Sequence, residues 1–250
     1  DDIAVHVLYQ PGDTAWDDGV AVERTRNAIA FFSDVFGPYP WPQITNVHRI
    51  ESGGTEFPMM IMDGSASESL IVHEIGHQWV HGTFGNNEWR EGWLDEGFDS
   101  FLTNWYFEEQ GAPPSIWENA VEGIAEMARA GRTQPISLES AEFRDPQTYS
   151  AMTYTKPSLV FRMLRELVGE DVFRQALHDF YETKALEHVT EADLRASFRR
   201  AAGLNLDWFF DQWIHTTATL DYGIRSAQVC AGGEYLILWS AGVELAAISK

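Results

Sequence analysis

The 250-residue chain is short of several things, and each shortage excludes something. It has one cysteine, Cys230, so no internal disulfide can form, and neither a disulfide scaffold nor a cysteine-built metal site is open to it. Lysine is almost missing: of 17 basic residues only Lys156, Lys184 and Lys250 are lysines. Acidic residues number 38, for a formal charge of −21. A chain so poor in cations has no basic face for phosphates, which argues against nucleic acid as a partner and against an anionic membrane surface. Such a composition suits either a high-salt habitat or an ordinary solvated acidic surface. No apolar run approaches the ~18–20 residues that cross a bilayer as a helix. Internal repeats and low-complexity linkers are lacking too. So are an initiator methionine and a signal peptide. The chain therefore reads as a piece of a longer protein with flanking domains, and the compartment of that parent stays open.

What is there suits a globular protein. Hydrophobic residues make up 44% of the chain, enough for a real core in one large domain or two small ones. An alternating strand opens the chain at 3–8 and ends at Pro11-Gly12. A helix is expected over 18–36, where Val20, Ala21, Ala28, Ile29, Phe32 and Val35 recur at helical spacing. The run Gly37-Pro38-Tyr39-Pro40-Trp41-Pro42 can be neither helix nor central strand. Strands are expected at 44–50 and 57–62 with Gly53-Gly54 between them. From residue 66 the pattern is helical, with helices expected over 67–81, 96–110, 114–130, 153–167, 171–183, 191–202 and 207–214. After Thr217 it returns to strands at 222–229 and 234–239, joined at Gly232-Gly233. The expected class is α+β, with a strand-bearing lobe over 1–65, a helical lobe over 66–217 and, over 218–250, the truncated start of a further β domain.

The chemistry concentrates in Val72-His73-Glu74-Ile75-Gly76-His77-Gln78. On a helix His73 and His77, at i and i+4, share a face and can point at one ion. Two neutral imidazoles at that spacing suit zinc. Glu74 lies beside them, placed to handle a water rather than to bind the metal. A catalytic zinc needs a third protein ligand and one open position. Glu96, in Trp93-Leu94-Asp95-Glu96-Gly97-Phe98, is the candidate; it falls far enough on for a loop and the start of a second helix. His81 continues the i, i+4 series, but a fourth ligand would close the site to water, so it reads as a helix-end residue.

H-E-x-x-H with a later glutamate inside W-L-D-E-G-F resembles the gluzincin zinc aminopeptidases, the aminopeptidase N family, which also holds a leukotriene-hydrolysing member. Phe36-Gly37-Pro38-Tyr39-Pro40 is similar to that family's F-G-x-Y-P segment, and Leu206 to Trp213 resembles its closing aromatic segment. The resemblance implies a thermolysin-like zinc metalloprotease catalytic domain that hydrolyses N-terminal peptide bonds on peptides with a free N-terminus. It implies a catalytic zinc on His73, His77 and Glu96, with Glu74 activating the zinc-bound water. Gly53-Gly54-Thr55-Glu56 is similar to the family's exopeptidase signature. That implies a substrate-binding strand at Gly53 and Gly54 and an anchor at Glu56 for the substrate ammonium, although Thr55 and Phe57-Pro58 depart from the usual residues. Tyr149 to Pro157 is similar to the segment that carries the family's oxyanion-binding tyrosine, which implies that role for Tyr154, with Tyr149 as its neighbour. Where the family often has a carboxylate seven residues after the glutamate ligand, this chain has Thr103, and Asp99 is the candidate substitute. An endopeptidase or epoxide hydrolase on the same scaffold, and a non-catalytic binding module, remain the alternatives.

Overall fold

Hydrophobic periodicity sets the first layer. A computed structural model describes residues 2–229 and 235–243, with side chains through residue 219. Strand β1 (Ala4–Leu8) leads to helix α1 (Val20–Val35), and β2 (Gln43–His48), β3 (Gly54–Thr55) and β4 (Met60–Asp63) come next. The sheet order is β1-β2-β4-β3. β1 and β4 run parallel to β2, and the two-residue β3 is an antiparallel edge on β4, with Gly54 opposite Asp63 and Thr55 opposite Met62. α1 buries Ala21, Thr25, Ala28, Ile29, Phe32 and Val35, one apolar stripe at helical spacing. It packs on α2 (Glu68–Val80). The 37–42 connection runs between α1 and β2 and is tied down by the Trp79 indole, which donates to the Gly37 carbonyl at 3.0 Å.

The helical lobe continues as α3 (Phe98–Glu109), α4 (Ser115–Arg129), α5 (Pro146–Ser150), α6 (Lys156–Val168), α7 (Glu170–Lys184), α8 (Glu191–Ala202) and α9 (Asp207–Trp213). Aromatic side chains fill its centre. Phe98 of α3 stacks on Phe161 of α6 with ring centroids 4.3 Å apart, and Phe101 packs edge-on against Phe173 of α7. Each such ring, fully buried, contributes about 1.5–3 kcal/mol. No described helix is long and apolar enough to cross a membrane. Strands β5 (Leu220–Val229) and β6 (Tyr235–Val243) pair antiparallel; their expected joint at Gly232-Gly233 lies outside the described residues.

The helical lobe departs from the sequence expectation at two places. The helix expected from 96 is preceded by a π-helical turn, Trp93–Gly97. The helix expected from 153 begins earlier, with α5 capped by Asp145, whose side chain accepts from the Thr148 amide at 2.7 Å. A second π-helical turn, Ala151–Thr155, then leads into α6. These two turns pack against each other. A π turn inserts one residue into a helix and so rotates the residues after it; no local composition announces it.

Candidate active site

The core of the site is one face of α2. Ile71, Val72, Ile75 and Trp79 are buried on its inner side; His73 and His77 face the turn at 93–97 and Glu74 faces β3. Glu96 Oε2 stands 3.2 Å from His73 Nε2 and 3.2 Å from His77 Nε2. Nitrogen and oxygen ligands held about 2.0–2.2 Å from one zinc ion stand roughly 3.0–3.5 Å apart. Glu96 Oε2 thus stands from each imidazole nitrogen at the spacing of two donors on one divalent ion, and a set of two imidazoles and a carboxylate suits zinc.

The far edges of both rings are also held. Asp99 Oδ2 lies 2.7 Å from His73 Nδ1, and Asp95 Oδ1 lies 2.9 Å from His77 Nδ1. Asp99 is a third carboxylate near these imidazoles, but its place on the Nδ1 side makes it an orienting group and leaves Glu96 as the ligand candidate. A carboxylate behind a ligating histidine fixes the ring's orientation and raises its basicity. Thr103 reaches Asp99 Oδ2 from one helical turn on, at 3.5 Å. Asp99 needs room, and Gly76 supplies it: a Cβ there would collide with Asp99 Oδ1. Replacing Asp99 by Asn is expected to weaken zinc affinity by about 10–100-fold. Competition against a chromogenic chelator measures this, and unchanged affinity would remove Asp99 from the site.

Electrostatics arise from this enclosure. Burial opposes the imidazolium of His73, but Asp99 and Glu96 outweigh it and raise the group to about 10. His77 is likewise raised, burial being outweighed by Asp99, Asp95 and Glu96. Burial opposes ionisation of Glu96, yet its contacts with both histidines hold it well below the usual carboxylate range. Glu74 is pushed up to about 8, chiefly by burial, with His73 and His77 pulling the other way. Its carboxylate lies flat on the edge strand: a Cβ on Gly54 would collide with Glu74 Oε1.

The remaining residues expected from the sequence gather around this centre. The Tyr154 hydroxyl donates to Glu96 Oε1 at 2.7 Å. Burial, then the Glu96 charge, raises its pKa far above the usual tyrosine value, so it stays a donor. Tyr149 packs on Tyr154 with centroids 6.4 Å apart. A cavity of about 560 Å³ touches Gly92, Glu96, Phe143 and Tyr149, and another of about 440 Å³ touches Leu70, His73, Tyr154 and Thr155. Gly53, with φ 83°, makes the turn into β3. Arg49 steadies that turn by donating to the Ser52 and Gly54 carbonyls and to Thr55 Oγ1. Glu56 comes next, half-buried.

Two residues of the site are not legible in the sequence pattern. Asp95, adjacent to Glu96, braces His77; the acidic pair is the only local signal of it. Gln78 is fully buried. Its side chain accepts from the Met59 amide at 2.7 Å and donates to the Glu56 and Phe57 carbonyls. It therefore clamps the segment carrying Glu56 to α2, and nothing local in sequence connects residues so far apart.

Residues 58–213 match the peptidase family M1 domain, and the chain belongs to that family. It is 28% identical over 223 residues to human aminopeptidase N, covering 77% of this chain and 23% of that protein. To mitochondrial aminopeptidase 2 of Saccharomyces cerevisiae it is 25% identical over 238 residues, covering 84% of this chain and 25% of the relative. The chain thus spans about a quarter of the length of these relatives. In fold it resembles the crystal structure of an M1 zinc metallopeptidase from Deinococcus radiodurans, with a TM-score of 0.66 at 24% identity over 82% of this chain and 46% of that one.

Proposed function

We propose that the chain is the catalytic core of a zinc aminopeptidase, a hydrolase that removes residues from the free N-terminus of peptides. The observation that carries this reading is the approach of Glu96 Oε2 to within 3.2 Å of both His73 Nε2 and His77 Nε2, with the enclosed carboxylate of Glu74 beside them. Those three donors would hold the ion, and bound zinc would supply a Lewis acid for the scissile carbonyl. Asp99 and Asp95 orient the two imidazoles. Glu74 takes a proton from the attacking water at its carboxylate and returns it to the leaving amine. Tyr154 donates from its hydroxyl to the oxygen on which negative charge develops. Glu56 binds the substrate α-ammonium, and β3, at the sheet edge, lies along the extended peptide. In this reading residues 1–217 form a thermolysin-like catalytic unit, and the β5–β6 pair belongs to a following β unit.

The test pairs zinc analysis with hydrolysis of a peptide series, free and N-acetylated. About one tightly held zinc per chain, with cleavage of free peptides only, is the expected result. Replacing Glu56 by Gln should then lower kcat/KM on free peptides by about 10–100-fold, the worth of one charge-assisted contact. Equal cleavage of acetylated peptides would make the enzyme an endopeptidase and remove Glu56 from its role. Absence of zinc after incubation with it would overturn the catalytic reading.

A further inference from the structure

Beyond the site just described, a second group of metal-ligating side chains stands on the other side of Asp95. His81 ends α2 one turn after His77, and Glu88 lies in the loop that leads to the 93–97 turn. Ligand atoms of His81, Glu88 and Asp95 all lie within 4.8 Å of one another. Asp95 is fully buried and shared: Oδ1 lies 2.9 Å from His77 Nδ1, and Oδ2 lies 3.2 Å from His81 Nδ1. Both Asp95 oxygens thus face an imidazole nitrogen, one in each cluster. The 3.2 Å between Asp95 Oδ2 and His81 Nδ1 is also the separation of two ligands on one zinc-sized ion. Glu88 is exposed, so its side chain can swing to complete a third contact.

We infer that His81, Glu88 and Asp95 form a second divalent-metal site, coupled to the first through the shared carboxylate of Asp95. The imidazole selects the zinc-like class of ion over magnesium or calcium. His81 does not join the first site, because the atom facing the cluster is Nδ1 and it meets Asp95, whereas Glu96 holds the Nε2 atoms of His73 and His77. With His81 half-buried and Glu88 in water, the second ion is held more weakly than the first and keeps positions open to solvent. Glu88 also lines the cavity of about 560 Å³, so this ion stands on the rim of the space beside Glu96.

Equilibrium dialysis of the whole chain against buffered zinc, with bound metal counted by mass spectrometry, tests this. The expected isotherm has a tight step and a second, weaker one. His81→Ala and Glu88→Gln should each weaken the second step at least about tenfold and leave the first, which also reports that the variants are folded. His73→Ala should remove the tight step and leave the weaker one. In a cobalt titration, the visible absorption added by the second equivalent should vanish in His81→Ala. Saturation of the wild-type chain at one equivalent would overturn the proposal. So would a second equivalent that persists in the His81→Ala, Glu88→Gln double variant, or loss of the tight step in His81→Ala, which would place His81 in the first site. A chain that shows only the weaker, His81-dependent step would uphold this site and overturn the catalytic reading instead.

Discussion

Glu74→Gln is expected to cut peptide hydrolysis by about 10²–10⁴-fold, the usual contribution of a positioned general base, and to leave zinc affinity within a few-fold of wild type. Glutamine matches glutamate in shape, so it fills the same enclosed space against Gly54, where a single added carbon would collide with the carboxylate. What it cannot do is accept a proton. Glu74 contacts no ring nitrogen of His73 or His77 in the way that Glu96 does, so its loss removes a proton carrier and keeps the three donors. Burial pushes its carboxyl up to about 8 while the neighbouring histidines draw it down. Zinc-loaded Glu74→Gln protein assayed with a free peptide decides the matter. Activity within a few-fold of wild type would mean that Glu74 is only a buried neighbour of the metal ligands. Loss of zinc together with activity would instead make it a ligand or a support of one.

What the sequence reveals about this site divides along the reach of local geometry. His73, Glu74 and His77 sit within five residues on one helix, and helical spacing alone puts them on one face. Glu96 needs only a loop and a return. Asp99 lies one turn after Glu96 and is legible as a candidate, whereas Asp95 is not. Which of two adjacent acids meets both Nε2 atoms and which braces a histidine depends on the phase of the π turn at 93–97, which packs against the turn at 151–155. The same packing brings together Tyr154 and Glu96, 58 positions apart in the chain; only resemblance to the family implies that both belong to one site. In the sheet lobe, the strand expected at 57–62 begins instead at Met60, and the site-facing edge is the two-residue β3. So short a strand carries no periodicity to read. Its position comes from Arg49 and Gln78, whose hydrogen bonds hold the segment from outside.

Tyr154→Phe is expected to lower kcat by about 10²–10³-fold with KM and zinc affinity nearly unchanged. One donor aimed at a developing oxyanion is worth about 2.7–4 kcal/mol, and a phenylalanine keeps the ring that stacks near His73, with centroids 6.4 Å apart. The competing role is visible in the same contact. The hydroxyl donates to Glu96 Oε1, the oxygen that faces away from the histidines, so the tyrosine could instead serve to orient a ligand. The two roles separate cleanly. An orienting tyrosine acts in the ground state, so its loss weakens zinc binding by about 10–100-fold and activity recovers when zinc is supplied in excess. An oxyanion donor acts only where charge develops, so its loss lowers kcat at every zinc concentration and leaves the binding isotherm in place. Its strongly raised pKa keeps the proton on the hydroxyl through the ordinary pH range, which both roles require. The donor role is the one proposed. The cavity of about 440 Å³ reaches Tyr154 and His73 together, and a carbonyl entering there would compete with Glu96 Oε1 for the same proton. Measuring kcat and zinc affinity on one preparation of the variant shows which oxygen the hydroxyl serves.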